Sequence, residues 1–171
     1  PSGVSGLDLY ARDAQGKWRW AAATLPAKQE MQVTLLRGIK PDLREYALYL
    51  PLYNGTESLA VGVPADSNFQ GLTPRKARPL IFYGTSITQG ACASRPGMTY
   101  PAILGRWLDV PVINIGFSGN GKMHEEVGDL MIEVNAAAYI IDCLPNMNGV
   151  MVTKRCVPLV KQLREAQADT P

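Results

Sequence analysis

The sequence predicts an α/β fold in two parts: an N-terminal β-sandwich over residues 1–74 and a parallel-sheet α/β domain over residues 79–171, joined by a linker at 75–78. Three observations carry this. Short alternating segments punctuated by turn residues fill the first half. From Pro79 onward, compact apolar runs alternate with segments of helical period. Between them Arg75-Lys76-Ala77-Arg78, after Pro74, has no apolar period and reads as a solvated connector.

Composition limits the possible functions. Apolar residues make up 46% of the 171 and charged residues 19%, enough for a packed core and unlike a disordered chain. The formal net charge of +2, with its basic residues scattered, gives no footprint for a nucleic-acid partner. No apolar run approaches the roughly 18 residues of a membrane span. Cys92, Cys143 and Cys156 have no metal-ligand spacing and read as free thiols, so no metal and no cofactor is expected.

In the first half, Leu7 to Tyr10 forms a strand, Asp13 to Gly16 a turn, and Lys17 to Trp20 a second strand with Trp18 and Trp20 on one face. Tyr46 to Tyr53, Asn54-Gly55 and Thr56 to Val63 read as a hairpin, because Asn-Gly favours the positive-φ turn that matches strand twist. Pro51 assigns the first arm to an edge or a bulge. In the second half the strands are Leu80 to Tyr83, Val110 to Ile115 and Ala138 to Ile141. The first helix is marked by Tyr100, Ile103, Leu104 and Trp107, the second by Met123, Val127, Leu130, Met131 and Val134, the third by Leu159, Val160 and Leu163. Pro158 is tolerable only near a helix start, which places the third N-terminus at Arg155 to Val157. This order implies parallel strands with right-handed crossovers. Three such strands leave an exposed edge, so the domain is expected to be partial, truncated at its C-terminus, or completed by a separate chain.

Each strand of the second half runs into a loop of small and polar residues: Gly84 to Gly90, Asn114 to Gly121, and Asp142 to Met147. In parallel sheets ligands bind beyond the carboxyl ends of strands. Ser86 follows the first strand, where its hydroxyl is exposed, although a serine there could equally cap the next helix. Gly119 offers a backbone N–H that can approach an anionic oxygen, or is part of a plain glycine-rich turn. Asn146 offers an amide donor, or is a turn residue. Together they supply a nucleophile and an oxyanion hole.

This set of blocks resembles the SGNH (GDSL-type) hydrolase superfamily. Gly84-Thr85-Ser86 is similar to its nucleophile block, with threonine where many members have aspartate. Ser118-Gly119-Asn120 and Pro145-Asn146 are similar to its two oxyanion blocks. Ser86 and Gly119 lie 33 residues apart, and Gly119 and Asn146 27, the size of a strand–helix crossover. Gly6-Leu7-Asp8-Leu9-Tyr10 resembles the Gly-x-Asp-Leu-Tyr signature of a β-sandwich that precedes some bacterial members. The resemblance implies a partial flavodoxin-like three-layer α/β domain. It implies a serine esterase with Ser86 as nucleophile, and Ser86 N–H, Gly119 N–H and the Asn146 amide as oxyanion hole. Deacylation, acetyl above all, of a sugar or small ester in the periplasm or outside the cell is the implied reaction.

The family's general base sits in an Asp-x-x-His motif that this sequence lacks. Its single histidine, His124, reads as an exposed helix-start residue, so the base is expected beyond Pro171. Asp142 is expected to orient a loop, and Arg95 to bind a polar group of the substrate. Two rivals remain at this point. Thr85, Ser86 and Thr88 could cradle a phosphate or a flavin. Trp18, Trp20, Tyr49 and Tyr53 could form the sugar platform of a glycan-binding module, or could be core.

Overall fold

In a computed structural model that describes residues 2–171, the chain forms one antiparallel and one parallel sheet. A short N-terminal helix, α1 (Ser2–Ser5), precedes β1 (Asp8–Arg12), β2 (Trp18–Ala23) and β3 (Tyr46–Tyr49), which pair in the order β2-β1-β3. Trp18 and Trp20 stand opposite Arg12 and Tyr10, and a bulge at the Leu9/Tyr10 step re-aims the strand.

The second half is β4 (Leu80–Gly84), α2 (Ser86–Gln89), α3 (Tyr100–Leu108), β5 (Val112–Gly116), α4 (Glu125–Ile132), β6 (Ala138–Asp142) and α5 (Gly149–Ala166). The strands are parallel in the order β5-β4-β6. Gly84, the last residue of β4, is in register with both Gly116 and Asp142, so all three strands end at one level. The central strand is the most buried: Ile81, Phe82 and Tyr83 join Met131, Ala136, Cys143, Leu159 and Leu163 among the core residues. Among the described residues no helix is long and apolar enough to cross a membrane.

Two local expectations are corrected, the second hairpin arm and the start of the third helix. The second arm of the hairpin, 56–63, is not a strand. After Pro51, Leu52 and Tyr53 donate their N–H groups to Gly3 O and Val4 O of α1, which diverts the chain from a hairpin path. No strand among the described residues supplies a second sandwich layer; the 95–98 turn and α3 lie against β1 instead. The third helix begins at Gly149 and runs through Pro158. Asn148 caps it by accepting the Met151 N–H at 3.0 Å. The carbonyl that Pro158 leaves unbonded, on Lys154, is on the exposed side where water can serve it. Finally, α3 buries its small residues Pro101, Ala102 and Gly105, leaving Trp107 78% exposed.

Candidate active site

β4 delivers Ser86 by way of Thr85. Thr85 is buried and extended, and its hydroxyl caps α2 by accepting the Ile87 N–H at 3.3 Å. That places Ser86 at the first helical position, half-buried, with a backbone N–H that has no acceptor among the described residues. Its carbonyl is engaged, accepting from Gly90 and Ala91 at 2.9 and 2.7 Å.

The second loop leans directly on the first. Phe117 N–H donates to Gly84 O at 2.9 Å. Gly121 passes so close that a Cβ there would lie 1.9 Å from Gly84 O, which restricts the position to glycine. Gly119 itself is open: its φ of +68° is left-handed, a Cβ would meet nothing within 4 Å, and its N–H has no acceptor among the described residues.

The third loop closes the group. After β6, a single 3₁₀ turn (Leu144–Asn146) presents Asn146, whose Nδ2 lies 3.5 Å from Phe117 O and 3.4 Å from Gly121 O. These are long contacts, weak by the usual geometry, and they leave the amide free to donate elsewhere. The structure thus brings the loops of Ser86, Gly119 and Asn146 into mutual contact at the carboxyl ends of neighbouring parallel strands.

Asp142 holds this platform from below. Its Oδ2 lies 3.5 Å from the Tyr100 hydroxyl, which is 2.9 Å from Thr88 Oγ1 in α2. Burial, with the Asp142 charge adding to it, pushes the Tyr100 phenol upward. Cys143 is fully buried, its Sγ directed at Tyr83 O, and burial pushes the thiol up to about 11, so it stays protonated at neutral pH and is no nucleophile.

Two candidate residues are engaged away from Ser86. Arg95 faces the N-terminal sheet: its Nε donates to Asp8 Oδ1 at 3.2 Å, and its guanidinium covers the Trp20 ring at 4.9 Å. His124 caps α4 by position, gives its backbone N–H to the Tyr83 hydroxyl at 3.0 Å, and turns its Nε2 toward Arg155 Nη1 at 3.5 Å. Among the described residues no histidine hydrogen-bonds Ser86. The sheet aromatics Trp18, Trp20 and Tyr49 do not share one open surface, and Tyr53 lies beyond the end of β3. Trp18 lies under Arg12 and lines a cavity of about 120 Å³ with Tyr49, while Trp20 is 55% exposed beside Asp8.

Asp8 has a structural role that spacing alone does not reveal. It is fully buried and accepts three donors: Trp20 Nε1 at 3.0 Å, Arg95 Nε at 3.2 Å and Gly97 N–H at 3.0 Å. The next motif residue on that face, Tyr10, donates its hydroxyl to Met98 Sδ and stacks edge-on against Tyr49 beneath Arg106. The Gly-x-Asp-Leu-Tyr motif is therefore a clamp between β1 and the loop that follows α2.

Residues 77–171 match the GDSL-like lipase/acylhydrolase family, and residues 1–69 match the N-terminal region of SGNH-hydrolase-type esterases. A protein from Bacteroides ovatus ATCC 8483, described as a GDSL-like lipase, superposes with a TM-score of 0.92 at 41% identity over 99% of this chain and 50% of its own. A salicylyl-acyltransferase, SsfX3, from a tetracycline biosynthetic pathway shares the fold, with a TM-score of 0.66 at 20% identity, over 98% of this chain and 50% of its own. The chain spans half the length of each. No curated protein sequence matches it. The family match covers more than half of the residues and the Bacteroides ovatus protein aligns along nearly all of them, and on these grounds the chain belongs to the GDSL-like lipase/acylhydrolase family.

Proposed function

We propose that this protein is a serine esterase that removes a short acyl group, acetyl above all, from a sugar or similar small ester. The observation that supports it is that three donors lie on touching loops: the backbone N–H groups of Ser86 and Gly119, which have no acceptor among the described residues, and the loosely held Asn146 amide. In this reading the Ser86 Oγ bonds to the acyl carbon and its proton passes to the departing alcohol. Water then cleaves the acyl-serine and restores the hydroxyl. The negative charge of each tetrahedral intermediate falls among the three donors. His124 is turned toward Arg155, so it is not assigned as the proton acceptor for Ser86.

The test uses protein expressed from its complete reading frame and 4-nitrophenyl acetate as substrate. Ser86→Ala is expected to reduce kcat to the residual level that an oxyanion hole alone sustains. Equal rates for Ser86→Ala and wild type would remove Ser86 from the chemistry. Asn146→Ala is expected to lower kcat by about 10²–10³, the usual effect of losing one oxyanion donor. Release of acetate from acetylated sugars, compared with longer acyl esters, then fixes the substrate class.

A further inference from the structure

We infer that Gln89 is a positioning residue of this site: its carboxamide holds the Gly119 loop so that an oxyanion donor faces the carbonyl attacked by Ser86. The inference rests on the esterase reading. Gln89 closes α2, three residues after Ser86, and is half-buried. Its Oε1 accepts the Ser118 N–H at 2.8 Å and its Nε2 donates to Leu52 O at 3.1 Å. One partner is a backbone donor and the other a backbone acceptor. A flipped amide would set N–H against N–H and oxygen against oxygen, so its orientation is fixed by chemistry.

The Ser118 bond matters because the loop's other outside contacts are at its ends, where Phe117 N–H donates to Gly84 O and Gly121 packs against Gly84 O. Asn120 and Gly121 donate to Phe117 O, inside their own loop. Gly119 is left-handed, and a Cβ built on it would meet nothing within 4 Å. For Ser118, Gly119 and Asn120, the Gln89 carboxamide is the hydrogen-bonding partner outside the loop among the described residues. The Gly119 nitrogen lies two bonds beyond the Ser118 Cα, so fixing the Ser118 N–H restricts where the Gly119 N–H can point.

Gln89 acts from a rigid base. A Cβ on Gly116 would fall 2.1 Å from Gln89 N, so the α2 backbone and the end of β5 are pressed together without room for a side chain. Asn114 fastens the same junction, donating from Nδ2 to Thr88 O at 2.8 Å and accepting Gly116 N–H at 2.9 Å. Leu52 packs on the other side, its Cδ1 only 2.5 Å from where a Cβ on Gly90 would stand. The nucleophile helix, the oxyanion loop and the segment after β3 therefore meet at one carboxamide.

The test measures 4-nitrophenyl acetate hydrolysis and thermal melting for the protein from the complete reading frame, as wild type, Ser86→Ala, Gln89→Leu and Gln89→Glu. Gln89→Leu is expected to lower kcat about 10- to 100-fold with KM within about two-fold. That is less than outright loss of a donor, because the Gly119 N–H is displaced and not deleted. Gln89→Glu keeps an oxygen for Ser118 but sets another against Leu52 O. It is expected to hold kcat within about five-fold while melting at a lower temperature. A Gln89→Leu enzyme with wild-type kcat overturns the inference, as does a Gln89→Glu enzyme as slow as Gln89→Leu. Should Gln89→Leu not fold, Gln89→Met takes its place, and failure of both to fold overturns the positioning role in favour of general support. An active Ser86→Ala enzyme defeats the esterase reading itself. An inactive one beside a fully active Gln89→Leu defeats only the role of Gln89.

Discussion

Thr85 stands where many relatives of this kind carry an acid, and its surroundings explain how a threonine serves. It is 1% exposed, and its hydroxyl caps the turn that carries Ser86. Thr85→Ala is expected to cost about 1 kcal/mol of stability, the usual worth of such a cap, and Thr85→Ser to restore most of it, as read from chemical denaturation. Cys143 makes a second prediction. Burial raises the thiol from its ordinary 9.0 to about 11, and the Tyr83, Tyr100 and Tyr139 phenols are raised by burial as well. Each group holds its proton more tightly folded than unfolded. Their contribution is complete below the unfolded values and is lost as pH rises toward the folded ones. The melting temperature should therefore fall above about pH 9, and Cys143→Ala should show a shallower fall between pH 9 and 11. A curve equally steep in the variant would refute the assignment to Cys143. At this scale the placing of Ser86, Gly119 and Asn146 on loops after β4, β5 and β6 was legible because each follows an apolar run at a crossover's spacing. Gln89 and Arg95 were not, since their partners lie 29, 37 and 87 residues away and leave no periodic trace.

Among the elements, the central strands and their order were legible because β4, β5 and β6 are nearly unbroken apolar runs. The helix ends were less so. Pro158 pointed to a helix start, yet α5 reaches back three turns to Asn148, because Lys154 and Pro158 both lie on the exposed side. Pro158→Ala restores the missing bond and is expected to stabilise the protein by about 1–3 kcal/mol. No gain would show that the helix has fully adapted to its proline. Asn54-Gly55 misled for a different reason. A turn dipeptide needs two arms able to pair, and the segment after Pro51 had already given its N–H groups to α1. The Gly119 loop has its own element-level prediction. Gly119→Ala has room for the methyl group, so its cost is conformational, about 1–2 kcal/mol. It is expected to fold and to lose activity.

Across the whole molecule, the halves are held by charged and aromatic contacts concentrated on β1. Arg12 pairs with Asp109 across the halves at 2.5 Å and with Glu45 inside its own half at 2.7 Å, and Arg75 from the connector joins Asp109 at 2.9 Å. Arg12 beside it holds the Asp109 carboxyl below its usual range, but the pair is open to solvent and contributes little in salt. Asp8 is different because it is sealed from water. Asp8→Ala strands Arg95 and the Gly97 and Trp20 N–H groups and is expected to cost about 3–5 kcal/mol. Asp8→Asn should cost less, and denaturation curves of both variants distinguish the two cases. None of this was visible from residue spacing, because a clamp across 87 residues exists only once the chain has folded.

The buried carboxylate of Asp8 has a consequence for how such enzymes can be rebuilt. A carbohydrate-binding appendage tethered by a flexible strap can be exchanged for another with the catalyst untouched. Here β1 is seated against the turn at 95–98 and against α3 of the second half, so grafting a foreign strand in its place would pull out a keystone. Modular shuffling should succeed only where the graft brings its own acid to the same socket.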